Sequence, residues 1–356
     1  MEPTRTLCDP QPAAADRMEY LDVAKGILII LVIIAHHLLG AGSFKRYLYY
    51  MGVTPFLLIT GFLCAYRKEW ERPFGKTAVG KLRKLIYPFF TFSIINLLWN
   101  ILFYKLVFTS QVPDCSIPQM LIYTVSTYGY NALWYLPCAF WGTLLFFALR
   151  RLKHHGLVWV ISAIGLLVFY ILLDRKLTGL GIVSYIYSYV FRSVVAMVFL
   201  YAGSLIFLVF RSMGRALEIL LLLICTTFSA VVIVMHQVYP EFFPHANLAA
   251  HSIGNPYVYY LATVSHTMAI LLLCRKFLKK SRVLSYFGRN SLVLMALHMD
   301  VTGRIAWCLF PQMRMDFGET VNSIIVIIME LLMFPVIITV INRWFPFVLT
   351  LKKVKN

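Results

Sequence analysis

Long apolar runs of about 20 residues, separated by short polar segments, repeat along the chain. An α-helix of that length crosses the hydrocarbon core of a bilayer. We predict ten such spans, over 20–41, 47–66, 85–108, 132–149, 156–173, 185–210, 216–235, 257–273, 283–299 and 321–344. The pattern therefore predicts an all-α integral membrane protein with about ten transmembrane helices.

Basic residues concentrate in alternate loops between these spans. The richest loop, 67–84, contains Arg67, Lys68, Arg72, Lys76, Lys81, Arg83 and Lys84. Because Lys and Arg are enriched in the cytoplasmic loops of membrane proteins, we expect this loop and both termini to be cytoplasmic. Residues 1–17 form a polar segment without the short basic start of a signal peptide, and we expect a disordered tail. Residues 18–346 are then one transmembrane domain without internal repeats, and 347–356 a basic cytoplasmic tail.

The composition excludes a soluble domain. Of the 356 residues, 60% are hydrophobic and only 13% are charged, which leaves too little polar surface to solvate a soluble protein. The net charge of +18 is explained by the orientation of the loops, so we expect no nucleic-acid partner. The seven cysteines lie mostly inside apolar runs, without the spacing of a metal site or a disulfide framework. We interpret them as packing residues.

The first span contains four ionisable residues, Asp22, Lys25, His36 and His37. Ionisable groups at membrane depth are costly and are candidates for function. At 100° per residue, Asp22, Lys25 and His36 share one helix face, and His37 points about 100° away. A structural alternative is equally compatible with this pattern: Asp22 and Lys25 pair at the interface, and the histidines hydrogen-bond to neighbouring helices.

The pattern of Lys25, Gly26, an apolar run and His36 eleven residues after Lys25 resembles the first span of the membrane acyltransferase-3 family. These integral membrane enzymes move acyl groups, usually acetyl, from cytoplasmic acyl-CoA to sugars of surface glycans and related acceptors. The resemblance implies that His36 is the general base of the transfer.

A second similarity is the segment Thr60–Phe62, followed by KLRKLIYP over 81–88. The family has a pair of basic residues before the proline that opens its third span. The resemblance implies that Lys81, Arg83 and Lys84 contact the phosphates of acyl-CoA. Family members often have arginine at both positions of the pair, and lysine lacks the forked geometry with which arginine binds phosphate. The alternative is a cluster that only anchors the loop in the cytoplasm.

Two further segments resemble the family. The first is NALWYLPCAF over 131–140, which places Trp134 and Tyr135 at the outer start of the fourth span. These two residues could bind the face of a sugar, or they could belong to the aromatic belt that lies at membrane interfaces. FGRNSLVLMALH, over 287–298, places Ser291 and His298 on one helix face. Because His36 and His298 both lie near the outer ends of their spans, we expect the two imidazoles to reach one depth and line one cavity.

Arg192 and Glu330 are the other charges buried in spans. Arg192 is expected to pair with a carboxylate or bind substrate, and Glu330 to pair with Lys25, Arg192 or an imidazole. His236, His245 and His251 do not have the spacing of a compact zinc site, and we predict no metal.

The leading hypothesis is a multi-pass O-acyltransferase of the cell membrane. The expected location is a bacterial inner membrane or plasma membrane. The partners of the enzyme are membrane lipid, acyl-CoA (acetyl-CoA) as donor and a sugar or glycan acceptor. The expected catalytic residues are His36, Asp22, Ser291 and His298. The expected donor contacts are Lys25, Lys81, Arg83, Lys84 and Arg192, and the expected acceptor contacts are Trp134, Tyr135, Asn290 and Glu330. The alternatives are a transporter or flippase for a lipid-linked saccharide, and a non-catalytic sensing module.

Overall fold

A computed structural model describes residues 18–40, 42–106, 116–177, 182–242, 246–250, 252–310 and 317–349. Within these ranges the regular structure is helical, apart from one isolated antiparallel bridge between Asn247 and Ser252. Ten of the described helical segments are long and apolar enough to cross a membrane. This confirms the predicted all-α fold with about ten spans, while the side of each terminus stays a prediction.

The helices follow one another along the chain with short connections. The first are α1 Glu19–His37, α2 Gly42–Met51, α3 Thr54–Tyr66, α4 Phe74–Lys81, α5 Tyr87–Leu106, α6 Ile117–Val125, α7 Tyr135–Leu149 and α8 His155–Leu177. The others are α9 Ile182–Ser212, α10 Arg215–Val238, α11 Pro256–Lys276, α12 Arg282–Arg289, α13 Ser291–Leu297, α14 Arg304–Leu309 and α15 Glu319–Trp344. Two π-helical segments, Leu82–Ile86 and His298–Gly303, join α4 to α5 and α13 to α14.

Helix α1 shows why its sequence forms a buried helix. Its interior consists almost entirely of aliphatic side chains, most of them buried. Glu19 and Asp22 lie in the first turn, where negative charge favours the helix dipole. The helix ends where Leu38 becomes extended, followed by Gly40 with a φ of +71°.

Glycines bring the helices around α1 into backbone contact. A Cβ atom at Gly26 would overlap the carbonyl of Leu284, and one at Gly288 would overlap that of Asp22, so α1 and α12 touch directly. Similarly, a Cβ atom at Gly61 of α3 would overlap a backbone carbonyl of α9. Small residues at such contacts let membrane helices pack closely in the absence of a hydrophobic driving force between them.

Two predicted spans differ from the observed helices. The third candidate span begins at Phe74 and runs through Lys81, so the basic cluster lies on helix and not in a loop as expected. The ninth was expected to end at Met299, but helical structure continues to Leu309. The polar residues of the π-helical segment interrupt the apolar run, and they are accommodated because protein surrounds them.

The bundle has two ends that matter for the site. We call the end at which α1 begins, near Lys81, the basic end. We call the end at which α1 finishes, near His36, the histidine end.

Candidate functional site

Three histidines from two spans meet at the histidine end. His36 and His37 form the last turn of α1, and His298 is the first residue of the π-helical segment after α13. The ring centroid of His298 lies 5.1 Å from that of His36 and 6.1 Å from that of His37. The prediction that His36 and His298 reach one depth is confirmed. His298 lies inside its span and not near the end, and it is fully buried. It does not line the cavity next to His36, so the expectation that both imidazoles line one cavity is not met.

His36 faces a cavity of about 260 Å³ with a mixed polar and apolar lining, which we call the site cavity. Tyr49, Asn131, Trp134, Ala249 and Tyr259 are also in its wall. The ring of His36 packs edge-on against Tyr49, with centroids 5.6 Å apart. An imidazole in the wall of a cavity next to aromatic and amide side chains can accept a proton from a bound hydroxyl group.

His37 points away from the site cavity, toward a buried carboxylate. Its Nε2 atom lies 3.2 Å from the carbonyl oxygen of His298 and 3.4 Å from Oε2 of Glu330. Thr302 donates a hydrogen bond of 2.6 Å to the other Glu330 oxygen. The expected imidazole partner of Glu330 is therefore His37, and Glu330 lies behind the histidines rather than in the cavity wall.

The π-helical segment makes room for His37. A Cβ atom at Gly303 would overlap the His37 ring, so this position requires glycine. Since a backbone carbonyl only accepts, the contact with His298 places a proton on Nε2 of His37. The two neighbouring histidines of α1 thus have different surroundings, as the helical phase predicts.

The tautomer of His298 is set by the backbone of its own helix. Its Nδ1 atom lies 3.1 Å from the carbonyl of Leu294 and 2.9 Å from that of Met295, so Nδ1 donates. Within the described ranges, the buried Nε2 atom has no hydrogen-bond partner. His298 therefore offers an acceptor nitrogen in the neutral state, next to the His36 ring.

A carboxylate that was not predicted from the sequence, Asp300, lies two residues after His298. Asp300 is 1% exposed and accepts hydrogen bonds from the amides of Asn131 at 2.8 Å, Asn96 at 3.2 Å and Asn100 at 3.4 Å. Arg304 lies 3.6 Å away. Asn131 belongs to the site-cavity wall and has a φ of +48°. Asp300 therefore fixes a residue of the cavity, and the spacing of Asn96 and Asn100 on one helix face was the available signal.

The basic cluster lies at the other end of the bundle and is partly paired. Lys81 forms an ion pair of 2.8 Å with Glu69, and its ammonium lies 5.7 Å from the Phe147 ring centroid. Burial opposes ionisation of Glu69, but Lys81 and a hydrogen bond from Cys64 outweigh it and lower the pKa of the Glu69 carboxyl group. Lys81 is thus held by protein.

The other two residues of the basic cluster, Arg83 and Lys84, are accessible to solvent. Arg83 is partly exposed and Lys84 is exposed. Among the residues that the structure describes, neither forms an ion pair. They are the members of the cluster that remain available to an anionic ligand.

The other predicted residues of α1 and α13 lie away from the cavity. Asp22 and Lys25 form an ion pair of 2.8 Å, as the structural alternative expected. Asn290 ends α12, where it donates to the Tyr286 carbonyl and accepts from Asn342. Ser291 begins α13, about 10 Å along the helix from His298. The structure does not bring these four residues to the histidines.

Of the two predicted aromatic residues, Trp134 lines the site cavity and Tyr135 does not. Tyr135 is buried in the core, where its ring packs near Phe56 with centroids 6.5 Å apart. Arg192 lies beside Trp134, with the guanidinium carbon 5.4 Å from the indole centroid. It is therefore at the histidine-end side of the bundle, separated from the Lys81 cluster.

The three histidines that were considered for zinc, and for which no metal is predicted, divide between described and undescribed residues. His236 is buried, with Nδ1 2.8 Å from the Val232 carbonyl, whereas His245 and His251 lie outside the described residues. Among the residues that the structure describes, no group of three or more His, Cys, Asp or Glu side chains is arranged to hold a metal ion.

Comparisons with known proteins indicate a family for this chain. Residues 18–351 match the acyltransferase 3 family, described as an acyltransferase domain. The comparisons with curated proteins and with solved structures each found no match. The match covers every span and every residue of the candidate site.

Proposed function

The chain belongs to the acyltransferase 3 family, and from this we propose that it transfers an acetyl group from acetyl-CoA to a hydroxyl group of a sugar or glycan. That it is a multi-pass membrane acyltransferase follows from the family and the ten spans. Membership of an acyltransferase family favours transfer over the transporter and sensing hypotheses.

The observation that carries the proposal is the position of His36. Its ring lies in the wall of the site cavity, packs against the fixed imidazole of His298, and faces the same space as Trp134 and Asn131. The indole offers a surface on which a sugar ring stacks, and the Asn131 side chain is held by Asp300. A hydroxyl group of a sugar in this cavity is within reach of the imidazole.

In the proposed reaction, His36 removes the proton of the acceptor hydroxyl group as its oxygen attacks the thioester carbonyl. The new C–O bond forms, the C–S bond breaks, and the departing sulfur takes the proton from the imidazolium. The products are an ester and the free thiol of CoA. A direct transfer of this kind uses no cysteine or serine nucleophile of the protein.

We assign the donor to the basic end. The phosphates of acetyl-CoA contact Arg83 and Lys84 next to the Lys81–Glu69 pair, and the arm of the donor passes Lys25 toward His36. The 14 residues from Asp22 to His36 correspond to about 21 Å along α1. A long, thin donor is suited to a path of this length.

The test is incubation of the purified protein in detergent with labelled acetyl-CoA and candidate glycans, with thiol release and ester formation as readouts. We expect both with at least one acceptor, and neither with the His36→Ala variant. The exposed His154→Ala variant is the matched control. Absence of thiol release with every acceptor, together with transport of a saccharide in liposomes, would contradict the proposal.

A further inference from the structure

A second, apolar cleft lies close to the site cavity. It has a volume of about 600 Å³, is open to the exterior of the bundle, and is lined by Ile122, Tyr128, Tyr185, Ile186 and Tyr189 among others. Ile186 is 60% exposed, on the surface that a membrane span presents to lipid. Such a cleft is suited to a hydrocarbon chain that enters from the bilayer.

Arg192 lies between a residue of the apolar cleft, Tyr128, and a residue of the site cavity, Trp134. On the cleft side, its guanidinium carbon lies 4.3 Å from the Tyr128 ring centroid, and Nη2 donates to the Tyr128 hydroxyl at 2.8 Å. On the cavity side, it contacts Trp134 and donates to the carbonyl of Ala249. The arginine therefore touches residues of both spaces.

Among the residues whose side chains the structure describes, Arg192 has no counter-ion. The side chain is 3% exposed, and within those residues it forms hydrogen bonds to neutral oxygens but no ion pair. Its Nε atom is buried there without a hydrogen-bond partner. A buried cation without a counter-ion is costly, and such groups in membrane spans mark sites for ions or substrates.

The order of these features matches the order of groups in one kind of molecule. An apolar cleft, a guanidinium and the site cavity with Trp134 follow one another, as do the hydrocarbon tail, phosphate and sugar of a lipid-linked saccharide. We propose that the acceptor is a saccharide linked through phosphate to a lipid, with its tail in the cleft, its phosphate on Arg192 and its sugar next to His36. This inference rests on the proposed function and names the acceptor of that site.

Binding is tested with the full chain in detergent, with farnesyl phosphate as the probe and farnesol as its uncharged counterpart. We expect farnesyl phosphate to bind about tenfold or more tightly than farnesol, because a charge-assisted contact to arginine is lost with the phosphate. The Arg192→Gln variant should bind the two compounds equally. Equal binding by the unmodified protein would overturn the inference.

A second variant tests the apolar cleft without changing the buried Arg192. Ile186→Trp fills the cleft from an exposed position and should weaken binding of farnesyl phosphate about tenfold or more. Ile171, 53% exposed on α8, gives the matched control Ile171→Trp, for which we expect no change. Equal losses in both variants would show that the probe binds the bundle surface in general. Loss of CoA binding in Arg192→Gln, with farnesyl phosphate binding unchanged, would place Arg192 with the donor.

The outcomes separate this inference from the proposed function. If farnesyl phosphate binds as described but acetyl-CoA yields no thiol with any acceptor, the lipid site stands and the proposed function fails. If a soluble glycan is acetylated and farnesyl phosphate does not bind, the proposed function stands and the lipid-linked acceptor is excluded.

Discussion

At the scale of residues, the two neighbouring histidines of α1 have separable roles. His36 is in the wall of the site cavity, whereas His37 contacts the His298 carbonyl and Glu330. We class His37 as a positioning residue, because its ring contacts the segment that carries His298. The difference between a base and a positioning residue is measurable.

The first prediction compares the variants His36→Ala and His37→Ala. General bases contribute about 10²–10⁴-fold to a rate, so His36→Ala should lose that much turnover with its thermal stability retained. His37→Ala leaves the buried Glu330 without its imidazole, so it should mainly lower the unfolding temperature. Turnover and thermal unfolding in detergent are measured for both. The reverse pattern would make His37 the base.

The second prediction concerns Asp300. Its carboxylate accepts from the amides of Asn131, Asn96 and Asn100, and an asparagine in its place would bring a further donor against them. Asp300→Asn should therefore cost about 1–3 kcal/mol of stability and weaken acceptor binding through Asn131. Thermal unfolding and the KM for the acceptor are the readouts. Arg304→Gln, which removes the 3.6 Å contact and leaves the three amides in place, is the control and should have a smaller effect. Unchanged acceptor KM in a folded Asp300→Asn variant would exclude the positioning role.

Some contacts of the site could be predicted from the sequence, and others could not. Helical phase and span position were enough to bring His36 and His298 together, because both depend on regular geometry within one helix. Asp300 was missed because Asp300, Thr302 and Gly303 interrupt the apolar run, and the span was therefore expected to end at Met299. The partners of Lys81 and His37 come from tertiary packing, which no spacing in the sequence encodes.

At the scale of elements, the ion pair between Lys81 and Glu69 links the start of the third span to the turn before it. The Glu69 carboxyl group has a lowered pKa in the folded protein. The pair therefore adds stability above the ordinary carboxyl pKa of about 4.3, and this stability is lost as the pH falls through the folded value.

The third prediction follows from this dependence of stability on pH. Glu69→Gln should unfold at a lower temperature than the unmodified protein at pH 7, and the difference should disappear at acid pH, where Glu69 is protonated in both states. Thermal unfolding across the pH range measures it. Glu71→Gln is the control, because Glu71 is exposed and its contact with Lys68 is 3.9 Å. A difference that persists unchanged at acid pH would assign the stabilisation to packing.

The fourth prediction concerns the contact between α1 and α12. A methyl group at Gly288 overlaps the Asp22 carbonyl, so Gly288→Ala should force the helices apart and cost about 1–3 kcal/mol. Gly165 of α8 has no atom within 4 Å of an added Cβ, and Gly165→Ala should be neutral or stabilising. The readouts are thermal unfolding and turnover. Equal stability of the two variants would show that the close contact is not required.

At the scale of the whole molecule, the number of spans was predictable and the direction of the bundle stays a prediction. Ten apolar runs gave ten helical segments, because only helices satisfy the backbone inside a bilayer without a partner strand. The boundaries of the third and ninth spans were wrong for different reasons. The third span begins earlier, in the partly exposed helix α4, and in the ninth span polar residues continue the helix inside protein. Hydropathy measures contact with lipid and therefore misses such continuations.

The fifth prediction tests the orientation. Tags at Met1, Gly75 and Asn356 should be cytoplasmic, and a tag at Ile253 should be on the other side, because basic loops remain in the cytoplasm. Labelling of intact cells with an impermeant reagent measures this. Ile253 is buried, so its tag is inserted with a flexible linker, and retained turnover is the control. Labelling of Gly75 in intact cells would reverse the bundle and the entry side of the donor.

The backbone contact between α1 and α12 has a consequence for how substrates enter. Helices that touch through glycine have little room to shift against one another without a clash, so we expect α1 and α12 to move together. We then expect His36 and His298, whose rings are in contact, to keep their separation when a substrate enters. Opening of the site cavity would fall to its other walls, and the break between α2 and α3 at Gly52 and Val53, which lines the cavity, is where we expect a hinge.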